Sequence, residues 1–142
     1  MTIVSYRRDV EKATDKATAK AARMIGGAVA GHAAEAAPVD SGLLKNSITF
    51  ALGGEPAAIE EYQSDNPEKN GEYKKGQYNG TAPEDEEHTT TVYVGTNVEY
   101  GAYQELGAPN INLDPRPYLR PAFENNLQEI QQILEKCYKE IN

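Results

Sequence analysis

The chain has 142 residues, a formal net charge of −8 and a hydrophobic share of 39%, with a mean hydropathy of −0.67. That length supports one domain, 1–142, with a core of its own, and no apolar run approaches the roughly 18 residues of a membrane span. One cysteine, Cys137, excludes an intrachain disulfide and a cysteine-based zinc site.

The opening "MTIVSYRRDV" lacks the apolar stretch of a signal peptide, so synthesis in a reducing cytoplasm is expected. The negative charge is unevenly placed. Glu55 to His88 holds ten acidic residues and three lysines, a net −7, against twelve acidic and eleven basic residues elsewhere, a net −1. No basic face of the kind a general nucleic-acid binder needs is evident. A protein that lets DNA slide past without gripping it remains compatible.

From about Ser5 to Ala36 the sequence predicts a helix. Val10, Ala13, Ala17, Ala21, Met24 and Ala28 recur at steps of three and four, one helical face built mostly of alanine. Lys12, Lys16, Lys20 and Arg23 form a separate basic stripe, read as a solvated face or as a contact for an acidic neighbour. Gly26, Gly27 and Gly31 each weaken a helix by about 1 kcal/mol, which predicts a kink or a close approach.

Pro38 ends this helix, and Asp40-Ser41-Gly42 make a turn or a helix cap. "SITFAL", Ser47 to Leu52, alternates polar and apolar residues and predicts a strand. Gly53 to His88 is a long polar, acidic excursion with Tyr62, Tyr73 and Tyr78 scattered through it. So long a stretch without structure is unusual in a compact domain, so a hairpin arm or a mobile loop is expected. "TTTVYVGT", Thr89 to Thr96, is the clearest strand, able to pair antiparallel with the first. A short helix follows from Glu99 to Leu106, closed by Gly107.

Three prolines, Pro115, Pro117 and Pro121, then fall within seven residues. Each ring fixes φ and removes a backbone donor. Pro117 fits the first turn of a last helix over about Tyr118 to Ile141, Pro121 is early enough to be tolerated, and Asp114 or a neighbour can cap the start. The segment reads as a stiff lead-in that sets the direction of that helix. Along it Phe123, Leu127, Ile130, Leu134, Cys137 and Ile141 step by threes and fours, the strongest periodic signal in the chain.

Candidate chemistry is sparse. "VDSG", Val39 to Gly42, matches the active-site triplet of aspartic proteases, in which two loops bring paired carboxylates together. A homodimer would supply the second loop around Asp40. The triplet follows a helix and a proline rather than a strand, which favours a capping turn. His32 and His88 are the only histidines, and "SDNPEKNG" lacks the order of a calcium loop. "VGTN" at Val94 to Asn97 has no following Lys-Ser or Lys-Thr, so it is a strand end and not a phosphate loop. Cys137 reads as a small core residue. Arg116 and Arg120 flank Tyr118, and either pair locally with Glu124 or Glu105 or meet another subunit.

Three blocks together, "APVDSGLLKNSI", "VYVGTNVEYGAYQELG" and "RPYLRPAF", resemble the tail-completion or head–tail joining proteins of long-tailed bacteriophages. The blocks cover Ala37 to Ile48 and Val92 to Phe123; Ser41, Gly101 and Tyr118 are mild variants within the pattern. The resemblance implies an α+β fold, a small antiparallel sheet packed against a long N-terminal helix and a C-terminal helix, with the acidic excursion at about 53–88 longer than the pattern requires. It implies a structural virion protein, not an enzyme, without cofactor or metal. Such a protein is a subunit of a ring, taken as six-fold, at the neck or tail end. Its partners are copies of itself, a head connector or stopper protein and a tail-tube or terminator protein, with DNA passing through. A tail terminator is the nearest rival, the aspartic protease a remote one, and an adaptor using the tyrosine-bearing loop a third. The candidate interface is Tyr100, Tyr103, Glu105, Arg116, Tyr118 and Arg120, held by the joint of Pro115, Pro117 and Pro121. The excursion faces either the lumen or a neighbouring subunit.

Overall fold

The computed structural model describes residues 3–39, 42–67 and 71–140, with side chains from residue 14 onward. Helix α1 runs over Ile3–Ala36, unbroken through its three glycines. The last bond, from the Ala37 N–H to the Ala33 carbonyl at 2.9 Å, stops where Pro38 has no N–H to offer. Gly26 is a close approach: a β-carbon there would lie 2.7 Å from the Phe50 ring and from Val92. A β-carbon on Gly31 would meet nothing within 4 Å among the described residues, so no close approach requires glycine there.

The buried side of α1 is not the one its alanine spacing predicted. Ala22, Gly26, Val29, Ala30, Ala33 and the following Ala37 are buried, whereas Met24 is exposed and Ala17 and Ala28 are half-buried. Only Ala21 of the expected face is in the core, and the side chains of Val10 and Ala13 lie outside the described residues. The expected close approach occurs at Gly26, against Phe50 and Val92, and the buried face is built around it and not around the alanines counted. Two residues of the basic stripe pair within the chain: Lys20 with Glu140 at 2.6 Å and Arg23 with Glu55 at 2.6 Å, while the side chain of Lys12 lies outside the described residues.

Helix α2, Leu43–Ser47, starts after Gly42, whose φ of +86° favours glycine. Ser47, expected in a strand, closes this helix by donating its hydroxyl to the Leu44 carbonyl at 2.6 Å. The strand therefore begins later, as β1, Thr49–Leu52. Two further strands, β2 over Glu61–Gln63 and β3 over Lys75–Gln77, pair antiparallel within the excursion. Strand β4, Val92–Gly95, pairs antiparallel with β1 in the register Thr49↔Gly95 to Leu52↔Val92. It is shorter than the expected Thr89 to Thr96 because its partner offers only four residues.

The segment between β1 and β4 folds back onto the body. The Tyr78 hydroxyl donates to the Ser47 carbonyl at 2.5 Å, and the Asn97 amide donates to the Gln77 carbonyl at 2.8 Å. The Tyr62 hydroxyl donates to the Asn97 side chain. The Asn46 amide reaches the Gln63 carbonyl at 2.9 Å and Asp65 at 2.8 Å. Two of the three tyrosines that looked scattered are thus anchors, with ring centroids 5.5 Å apart.

Helix α3 spans Gly101–Leu106, a 3-10 turn follows over Pro109–Ile111, and the last helix is split into α4, Leu119–Glu124, and α5, Leu127–Lys139. The expected single helix breaks at Asn125-Asn126, where the Asn126 side chain donates to the Ala122 carbonyl at 2.8 Å. Asparagine competes with the helical backbone in this way. The break also divides the apolar stripe. Ile130 and Cys137 are buried, but Phe123 and Leu127 are half-exposed at 50% and 52%, and Ile141 lies outside the described residues. The α+β core gathers Val29, Ala30, Ala33, Ala37, Leu44, Ile48, Tyr118, Ala122 and Ile130 from both ends of the sequence.

Candidate functional site

The three motif blocks meet at one place, the junction of α2, β4, α3 and α4. Ser47 and Thr96 share a hydrogen bond at 2.5 Å. A β-carbon on Gly101 would lie 2.8 Å from Thr96, 2.9 Å from the Tyr118 hydroxyl and 3.2 Å from Leu44, so glycine leaves room for all three elements. The Tyr118 hydroxyl donates to the Gly101 carbonyl at 2.9 Å, which satisfies the polar end of a buried ring.

The proline joint is held from α3. The Arg116 N–H donates to the Gln104 carbonyl at 2.6 Å. One Glu105 carboxylate oxygen accepts the Tyr118 and Leu119 N–H groups at 2.7 and 2.9 Å, and the other accepts the Arg120 N–H at 3.0 Å. These are orphan donors at the start of α4, where a negative charge also suits the helix dipole. Glu105 is therefore the cap of α4, supplied from another helix. Asp114 does not take that role, and Tyr118 at the N-cap position makes no side-chain cap bond.

Partial burial pushes the Glu105 pKa up, but the three backbone donors and the Arg120 charge outweigh it and hold the carboxyl below its ordinary range. Burial first, and then the Glu105 charge, push the Tyr118 phenol up to about 12. Gly107, at φ +77°, lets Pro115 approach: a β-carbon there would lie 2.9 Å from the proline ring. Pro121 is the third residue of α4, where its missing N–H is no loss. Pro117 lies before the N-cap and outside the helix, not in its first turn as expected.

The six candidate interface residues separate into two groups. Tyr100, Tyr103, Arg116 and Arg120 are exposed, with Arg120 at 3.7 Å from Glu124, the local pair weighed above. Tyr118 is 0% exposed, so it is a core residue and leaves the set of surface candidates. Glu105 is occupied by the cap. Sequence reasoning did not single out Leu106 and Ile111, apolar residues that are 76% and 65% exposed. A leucine directly before a helix-ending glycine was the available signal.

Asp40 and Ser41 lie outside the described residues, as do residues 68–70 of the loop compared with a calcium site. Among the described residues no group of three His, Cys, Asp or Glu could hold a metal ion, and no helix is long and apolar enough to cross a membrane. His32 bonds Glu129 at 2.7 Å across α1 and α5, and His88 lies 3.4 Å from Glu87.

No curated protein and no solved structure gives a significant match to the chain. A family model does match, over residues 4–107, which takes in the first two motif blocks and α1 to α3 and stops before the third block. The chain therefore belongs to the phage tail-component family described as "Bacteriophage HK97-gp10, putative tail-component".

Proposed function

We propose that the chain is a structural virion protein of the phage neck or tail end. In this reading it acts as a single domain. Copies close into a ring, taken as six-fold, that joins the tail tube to the head connector and lets DNA pass without specific binding. It has no catalytic role and takes no cofactor. It is made in the host cytoplasm and ends in the virion, with no membrane partner. Its neighbours are a head connector or stopper protein on one side and a tail-tube or terminator protein on the other.

The observation that carries this reading is the family match over residues 4–107. The geometry supports it. A part that repeats around a ring needs fixed angles, and α4 is fixed to α3 by a carboxylate, a buried phenol and flanking prolines. Around that joint Tyr100, Tyr103, Arg116 and Arg120 face outward, residue types that interfaces favour.

The test mixes purified protein with tailless heads and headless tails made without it. Recovery of infectious particles is the expected result. Tails of abnormal length without the protein, and no recovery on mixing, contradict the joining role and indicate a terminator.

A further inference from the structure

We propose that Asn79 is a site of spontaneous modification: the Asn79–Gly80 link converts through a succinimide to an isoaspartyl bond, and the altered chain releases the β2–β3 hairpin from the body. The inference stands apart from the ring reading, since it needs neither a partner nor an enzyme.

The sequence holds two Asn-Gly pairs, Asn70-Gly71 and Asn79-Gly80, and Asn70 lies outside the described residues. Asn79 and Gly80 are both exposed, and neither the Asn79 side chain nor the Gly80 N–H makes a hydrogen bond with a described residue. Gly80 turns the chain at φ +89°, and a β-carbon on it would meet nothing within 4 Å among the described residues. Glycine has no side chain to screen its nitrogen and resists backbone rotation least. A fold slows this reaction by holding the amide or the attacking nitrogen, and here it holds neither.

The reaction balances with water alone. The Gly80 nitrogen, its proton passed to solvent, attacks Asn79 Cγ. The N–Cγ bond forms, the Cγ–Nδ2 bond breaks, and ammonia leaves after taking up a proton. Water then opens the ring. Attack at the main-chain carbonyl breaks its bond to the Gly80 nitrogen and leaves an isoaspartyl link, in which the chain runs through Cβ and Cγ. Attack at Cγ leaves an ordinary aspartate.

The site sits in a strap fastened on both sides. Before it, the Tyr78 hydroxyl donates to the Ser47 carbonyl at 2.5 Å and accepts the Asn97 N–H at 3.1 Å. After it, the Ala82 N–H donates to the Glu55 carbonyl at 2.8 Å, and the Ala82 carbonyl accepts the Gly54 N–H at 3.1 Å. The isoaspartyl link adds an atom to the main chain between these anchors and moves a new carboxylate onto Cα. One anchor therefore shifts. The Ala82 side is held by its backbone, whereas the Tyr78 side depends on a hydroxyl at the end of a rotatable side chain, so Tyr78 gives way.

The test incubates the purified chain in mildly alkaline buffer and maps its peptides by mass and fragmentation. A free peptide spanning Tyr78 to Ala82 is the reference for an unheld pair. Asn79 should convert at a rate within about tenfold of that peptide, and Asn79→Gln should stay unmodified at this position. Hydrogen exchange in β2 and β3 should quicken roughly fivefold in the converted parent, as the loss of a hydrogen bond predicts, and not in Asn79→Gln treated alike. Freshly made Asn79→Asp, which has the charge without the extra atom, should match the fresh parent. Conversion confined to Asn70, or a rate at Asn79 far below that of the peptide, overturns the site. Conversion that leaves exchange unchanged, or a fresh Asn79→Asp that exchanges as fast as the converted parent, overturns release by the altered link.

Discussion

The α3–α4 joint and the β2–β3 hairpin are both fastened by side chains borrowed from distant parts of the sequence, but the fastenings differ. At the joint a charged carboxylate takes three backbone donors beside a wholly buried Tyr118. At the hairpin Asn46, Tyr62, Tyr78 and Asn97 make hydrogen bonds from exposed or half-buried side chains, all but the one to Asp65 between neutral groups. The joint therefore belongs to the folding core, whereas the hairpin is a docked appendage that can be loosened while the rest stays folded. That division suits the proposed ring, in which angles set in the core would repeat while outer parts adapt to neighbours.

The largest break in the comparison is Tyr118→Ala. It leaves a cavity among Ala33, Leu44 and Ala122 and should cost about 3–5 kcal/mol in denaturant unfolding. A loss under 1 kcal/mol would place Tyr118 outside the core. Glu105→Gln comes next. The amide has one accepting oxygen for three donors, and a lost cap costs about 1–2 kcal/mol.

The sign of the pH effect follows from the direction of the shift. Glu105 is held below its ordinary value of 4.5, so its contribution is complete above that value and fades as pH falls through the folded pKa. The difference in Tm between parent and Glu105→Gln should thus be constant near neutrality and shrink on acidification below about pH 4.5. A difference that grows in acid would contradict the cap. Comparing the two proteins isolates Glu105 from Glu55 and Glu140, whose pKa values are also lowered by hydrogen bonds to Arg23 and Lys20.

Tyr78→Phe should cost less, about 1 kcal/mol, because it removes a hydroxyl that bonds the Ser47 carbonyl and the Asn97 N–H. Hydrogen exchange should then speed up in β2 and β3 but not in α4. Equal acceleration in both would erase the distinction between core joint and docked hairpin. The smallest effect on folding per substitution is expected for Pro115→Ala and Pro117→Ala, tested together. Each removes about 0.5–1 kcal/mol through the unfolded state, while assembly and tail attachment should suffer more. Unchanged ring formation would remove the role given to the prolines.

Much of this was legible in the sequence, and the failures have physical reasons. Helix α1, the antiparallel β1–β4 pair, α3 and its closing Gly107 follow from local pattern and turn chemistry. The break at Asn125-Asn126 was hidden by a periodic apolar stripe that continues across it. The buried side of α1 was misread because the alanine spacing was counted apart from Gly26, whose expected close approach, to Phe50, marks the face that is buried. Glu105 had no local signature as a cap, since the helix it caps begins at Leu119 and the chain must fold before they meet. Tyr118 looked like a surface residue between two arginines because alternation around a proline-fixed turn does not reveal which side chain points inward.

The claim on which the account depends is that identical copies of this chain close on themselves. Electron microscopy of the purified protein, with light scattering for the mass, tests it most directly. The account predicts annular particles of one subunit number, six, with a central hole wide enough for duplex DNA. Monomers at all concentrations, or open filaments without closure, would contradict it.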